Sequence, residues 1–156
     1  MIVKTDKTYK RVFVMIVAIN FTKLCAERKS VQIQKLNINN NIKIVSVEEA
    51  DVEVKQGNSA LKIGFDFESN YEPELASLKV AGEAIDVEDK KNAKTILNEW
   101  AKNKRIPENF LTDIMNVILS RCNVEAIILS KEINLPPPLP MPKVGVKKKE
   151  ENNYIG

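Results

Sequence analysis

Apolar residues in the C-terminal half of the chain recur every three or four positions. Leu111, Met115, Ile118, Cys122, Ala126, Leu129 and Ile133 form one line, and Phe110, Ile114, Val117, Val124 and Ile128 form a second beside it. That spacing predicts one long helix whose apolar face is wider than the stripe of about 100° needed to lie on a single layer. One line should meet the body of the domain and the other a second subunit or an N-terminal element. Pro107 suits the first helical position because it has no N–H to leave unpaired, and Glu108 favours the positive end of the helix dipole. At the far end Pro136, Pro137 and Pro138 cannot continue the hydrogen-bond ladder, so an extended proline-rich arm is expected from about Leu135 to Pro142. Leu135, Leu139, Met141 and Val144 within it favour packing on the chain's own domain.

Earlier in the chain the period falls to two. Val31 to Gln34 alternates, and Leu36 with Ile38 takes the other phase, which implies a bulge near Gln34 and Lys35. Asn39, Asn40 and Asn41 read as a turn, Ile42 to Val47 as a strand, and Asp51 to Lys55 as a further alternating stretch before a hairpin turn at Gln56 to Ser59. Leu61, Ile63, Phe65 and Phe67 give the clearest strand, with Lys62, Gly64, Asp66 and Glu68 on its wet face. Leu78, Val80, Gly82 and Ala84 follow in the next, with a phase change to Ile85 and Val87 that implies another bulge. Short connections favour an antiparallel meander. Asp89 can cap a helix carrying Ala93, Ile96, Leu97, Trp100 and Ala101. The expected fold class is α+β: a twisted antiparallel sheet of about four strands packed by this shorter helix and the long C-terminal one.

The segment 1–29 holds the apolar run Val12 to Ile19. Phe13, Ile16, Val17, Phe21, Leu24 and Cys25 fit helical spacing, so a helix is expected there, with a strand as the alternative. The run is well below the roughly 18 apolar residues of a membrane span and has no small-residue cleavage site. Met15 is a candidate native start.

Composition narrows the chemistry. With 156 residues, 44% hydrophobic and 29% charged, the chain has ordinary globular make-up, and one domain is expected over 30–143 before a disordered charged tail at 144–156. The net charge of +3 is small, and Lys147, Lys148 and Lys149 are followed at once by two glutamates, so the tail reads as solubilising and nucleic-acid binding is not expected. Cys25 and Cys122 have no metal or redox spacing and point to a reducing compartment. The absence of histidine removes the commonest general base and the usual nucleophile pairs and zinc sites. Glu48, Glu49, Asp51 and Glu53, and again Glu83, Asp86, Glu88 and Asp89, could serve as a site only by converging, and alternation sends most of them outward. The glycines are dispersed, without a phosphate-loop fingerprint. No enzyme, catalytic residue, metal, cofactor or small-molecule substrate is expected.

Tyr71-Glu72-Pro73 leading into Leu78 to Glu83, the helix through Asn116 to Cys122, and its exit at Asn134 to Pro137 together make residues 30–144 resemble the SecB family of export chaperones in a divergent, archaeal-type form. The resemblance implies a cytoplasmic, ATP-independent holdase for unfolded polypeptide, with protomers joined through sheets and helices into dimers or tetramers and clients held in apolar grooves. Bacterial members are acidic and meet the SecA motor through that acidity. This chain is slightly basic, which puts a SecA partnership in doubt. On this reading Phe65, Phe67, Tyr71, Trp100, Leu139 and Met141 are candidates for peptide binding. Leu111, Met115, Ile118 and Cys122 are candidates for the oligomer interface, to be tested with Ile118→Asp. The alternative is a non-enzymatic scaffold module of a larger assembly such as a ribonucleoprotein particle, with the lysine-rich tail and the proline arm as its contacts.

Overall fold

The computed structural model describes residues 15–31 and 35–142. The start at Met15, the strand at 32–34 with its bulge, and the tail at 144–156 therefore concern positions at the border of the described residues or beyond them. The elements are β1 (Met15–Arg28), β2 (Asn37–Glu49), β3 (Asn58–Glu72), β4 (Ala76–Asp89), α1 (Lys90–Asn103) and α2 (Glu108–Glu132). The sheet is antiparallel in the order β1-β4-β3-β2, and the fold is α+β as the pattern predicts. The strands β2, β3 and β4 form the expected meander, while β1 returns to pair outside β4.

β1 corrects the expectation of a helix. Its pairing with β4 shifts register at Val17 and again at Thr22, each an extra residue in the strand. Positions facing the helices therefore fall at Ile16, Ile19, Phe21, Leu24 and Ala26, opposite Asp86, Ala84, Gly82, Val80 and Leu78. Spacings of three, produced by the bulges, imitate a helix in a segment whose backbone is extended.

Four further expectations change. Asn39, Asn40 and Asn41 are not a turn but lie within β2, paired with Asn70, Ser69 and Glu68. Asp51 to Lys55 lies in the connection between β2 and β3, and the turn falls at Gly57, whose φ of 91° suits glycine. No bulge interrupts β4 near Ala84. Its pairing with β3 runs unbroken from Asn58 and Asp89 to Tyr71 and Ala76. Asp86 and Glu88 thus continue the buried face, and the apolar Ile85 and Val87 take the other. The expectation that the second acidic cluster points outward fails for these two residues.

The covered face holds the core. Leu61, Ile63, Phe65, Phe67 and Tyr71 of β3 and Leu78, Val80 and Ala84 of β4 are buried against Ala93 and Ile96 of α1. From α2 the line Phe110, Ile114, Ile118, Cys122, Ala126 and Ser130 completes it, one residue in every four. Gly82 is placed where a Cβ would collide with the Asn20 carbonyl oxygen and the Phe65 ring and press on the backbone of Phe21. Its bare backbone lets those two rings meet edge to face at 6.3 Å. α1 starts at Asp89, whose carboxylate accepts from the Asn92 N–H at 2.8 Å as a helix cap should. Pro107 occupies the cap position of α2 and Glu108 opens the helix, one residue later than the sequence implied.

The proline arm packs as a strap. The Tyr71 hydroxyl donates to the Pro136 carbonyl at 2.6 Å, and the Asn40 amide donates to the Pro138 carbonyl at 2.8 Å. Leu135 and Pro138 are buried. Arg28 donates to the carbonyls of Ile133 and Asn134, both at 3.0 Å, and so holds the negative end of α2 against β1.

Candidate functional site

A groove opens where β2, the edge strand, meets the connection between the helices. Ile42 and Ile44 project from β2 toward the covered face, each half-buried, and β3 backs them with the fully buried Phe67 and Phe65 directly opposite. Above them stand Trp100 of α1 and Leu111 and Met115 of α2, also half-buried. Ile106 closes the inner end at 9% exposure. The open groove has a volume of about 400 Å³, within the roughly 300–1,000 Å³ typical of ligand pockets.

Local sequence builds this shape. Lys104 adopts left-handed geometry at φ 53° and its N–H donates to the Trp100 carbonyl at 2.9 Å, which ends α1. The chain then turns through Arg105 and Ile106 to the Pro107 cap, so a short connector fixes the gap between the two helices. The Lys104 ammonium lies 5.3 Å from the centre of the Trp100 ring.

The strand beside the groove is open. β2 pairs with β3 alone among the described residues, so its outer N–H and C=O groups stand unpaired along the strand. A bulge between Ile44 and Ser46 ends the regular run, leaving Asn37 to Ile44 as the even part of that edge.

Of the residues singled out for peptide binding, Trp100 lines the groove. Phe65, Phe67 and Tyr71 are 0–1% exposed and belong to the core, where the first two support the groove floor from below. Leu139 is half-buried and Met141 is 47% exposed, and neither lines the groove. Leu111 and Met115, singled out for subunit contact, line it instead. Ile118 and Cys122 are fully buried against the sheet and are out of reach of a partner in this fold. Ile118→Asp would disrupt the core rather than test an interface. Ile42, Ile44 and Ile106 are the apolar groove residues, and Lys43, Lys104 and Arg105 the charged ones, that the sequence did not single out. The alternation of Ile42 and Ile44 carried a signal, but only knowledge that β2 is an edge could turn it into a site.

No family model and no curated protein sequence matches the chain. Among solved structures it is similar to the Mycobacterium tuberculosis SecB-like chaperone in complex with a ChAD peptide from the HigA1 antitoxin. The two are 12% identical with a TM-score of 0.47, over 85% of this chain and 91% of that one.

A second apolar surface runs along the other flank of α2. Arg121 lies over the Phe21 ring at 5.9 Å and Arg28 reaches the Ile133 carbonyl, so α2 follows β1 from Phe21 to Arg28. Along this flank Val117, Val124 and Ile128 are 39–53% exposed, and Leu24 on β1 is 48% exposed.

The buried acidic groups sit away from the groove. Burial, with Glu88 adding its charge, pushes the Asp86 carboxyl up to about 7, and burial raises Glu88 as well. Both Asp86 carboxylate oxygens lack a hydrogen-bond partner among the described residues. No third His, Cys, Asp or Glu joins the pair to make a metal set among the described residues. Burial likewise pushes the Cys122 thiol up to about 12, which keeps it protonated and inert. Among the described residues no helix is long and apolar enough to cross a membrane.

Proposed function

We propose that the chain is a non-enzymatic, ATP-independent holdase that binds extended segments of unfolded polypeptide. The observation that carries this reading is the pairing of an apolar groove with an open strand edge, Ile42 and Ile44 belonging to both. A peptide added beside Asn37 to Ile44 would gain backbone hydrogen bonds from the edge, and its alternate side chains would enter the groove. Backbone pairing is indifferent to sequence and apolar pockets are tolerant of it, which is what a binder of many unfolded clients requires. The SecB resemblance of the stretch from Tyr71 to Glu83 implies the same activity. We place the protomers in a homo-oligomer formed through the exposed flank of α2.

The purified chain is expected to suppress aggregation of a chemically unfolded client without ATP. Ile44→Glu, at the groove floor, should weaken suppression at least severalfold while leaving the melting curve cooperative. Burying one client Leu or Phe is worth about 1.5–3 kcal/mol, and a charge at the floor opposes it. Unsuppressed aggregation over a wide range of chain-to-client ratios would remove the proposal.

A further inference from the structure

The groove has a sign as well as a shape. Its mouth carries Lys104 and Arg105, both exposed, and no carboxylate lines it among the described residues. The ion pairs of the sheet engage Lys62 and Lys79 instead, and none engages Lys104, Arg105 or the exposed Lys43 of β2 among the described residues. Asp66 stands across the strand pair from Lys43 without closing an ion pair to it. The two connector cations are set in place by the backbone: Lys104 is the left-handed residue that ends α1, with its ammonium over Trp100, and Arg105 follows directly. They therefore stand at the mouth of the groove for the same reason that the groove exists. Lys43 stands on the strand between Ile42 and Ile44 and, opposite Asp66, projects from the other face of the sheet. An added strand whose apolar side chain enters the groove turns its two adjacent residues toward the Lys43 face and keeps the residues two positions away on the face of Lys104 and Arg105.

We propose that the preferred client is an extended segment in which an apolar residue is flanked by acidic ones, laid along Asn37 to Ile44 with its adjacent carboxylates at Lys43 on one face and those two positions away at Lys104 and Arg105 on the other. This inference rests on the polypeptide-binding reading above and names the client class for that site. Charge complementarity across an exposed rim raises on-rate and selectivity more than it raises total affinity, and salt weakens it.

The test uses the full chain and three labelled short peptides that share one apolar core and differ in their flanks, glutamate, serine or lysine. Binding is read by fluorescence anisotropy. The glutamate peptide should bind on the order of tenfold more tightly than the lysine peptide at low salt, the gap closing at high salt, as expected for a few exposed ion pairs. The double variant Lys104→Glu and Arg105→Glu changes only exposed side chains and should invert the order with little change in melting temperature. Equal binding of the glutamate and lysine peptides, or a lysine preference, overturns the acidic selectivity while binding of the serine peptide keeps polypeptide binding intact. If none of the three binds, the polypeptide-binding reading itself falls. Peptide binding that vanishes as protein concentration rises would make a second copy of the chain the occupant of the groove and overturn the inference.

Discussion

Asp86 is the residue whose position is hardest to reconcile with stability alone. It is 0% exposed near the end of β4, flanked across the sheet by Leu61 and Ile16, with the charge of Glu88 acting on it and no cation paired with it among the described residues. Its carboxyl titrates near pH 7 in the fold, whereas an unfolded aspartate titrates near 3.9. Between those values the folded chain keeps a proton that the unfolded chain has lost, so stability falls as pH rises from about 4 to about 7 and this group costs nothing further above that. The full penalty at neutral pH is on the order of a few kcal/mol. Asp86→Asn removes the ionisation. Its melting temperature should exceed the parent's by several degrees at roughly pH 8, at about 2–4 °C per kcal/mol for a domain of this size, and should lose the decline across the acidic range. A variant that melts at or below the parent at that pH would mean that a cation neutralises the carboxylate in solution.

Among the elements, the proline arm makes the sharpest prediction. It crosses the end of the sheet on two hydrogen bonds, from Tyr71 to Pro136 and from Asn40 to Pro138, with Ser69 donating to the Asn40 side-chain amide oxygen at 2.6 Å to orient that amide. Tyr71→Phe keeps the ring and orphans the Pro136 carbonyl, so about 1 kcal/mol, or about 2–4 °C of melting temperature, should be lost. Proteolysis should cut the loosened arm sooner if Pro136 is an anchor, and an unchanged cleavage rate would show that apolar packing of Leu135 and Pro138 suffices. The arm, α1, α2, β3 and most of β4 were legible because prolines, caps and regular periods are local signals, whereas β2 was legible only from Ile42 on, its three asparagines reading as a turn. β1 was not legible: bulges at Val17 and Thr22 turn a period of two into spacings of three, and only the partner strand reveals them. The same limit hid half of the site. Phe65 and Phe67 looked like surface anchors and are the floor's support, while Ile42 and Ile44 gain their importance from lying on an edge, which is a property of strand order rather than of sequence.

At the scale of the whole molecule, one groove is too small for a holdase. A single buried apolar side chain contributes about 1.5–3 kcal/mol, far short of the roughly 8 kcal/mol that corresponds to micromolar binding. Strand addition at Asn37 to Ile44 adds to this, yet a client able to aggregate is held firmly only when several sites engage it at once, which raises avidity without any new contact. The exposed flank of α2 supplies a means: Val117, Val124 and Ile128, with Leu24 of β1 beside them, form an apolar strip on the opposite side of α2 from the groove residues Leu111 and Met115. Protomers joined there would keep their grooves free. The double variant Val124→Asp and Ile128→Asp alters exposed positions and should leave the fold intact while reducing the solution mass to that of one chain. Binding of a single short peptide should persist in this variant, because its groove is untouched, and suppression of aggregation should fall by an order of magnitude or more, within the range that linking two sites provides. Loss of short-peptide binding together with the oligomer would instead place the groove at the subunit contact, and a parent chain that is already monomeric would remove the oligomer from the mechanism.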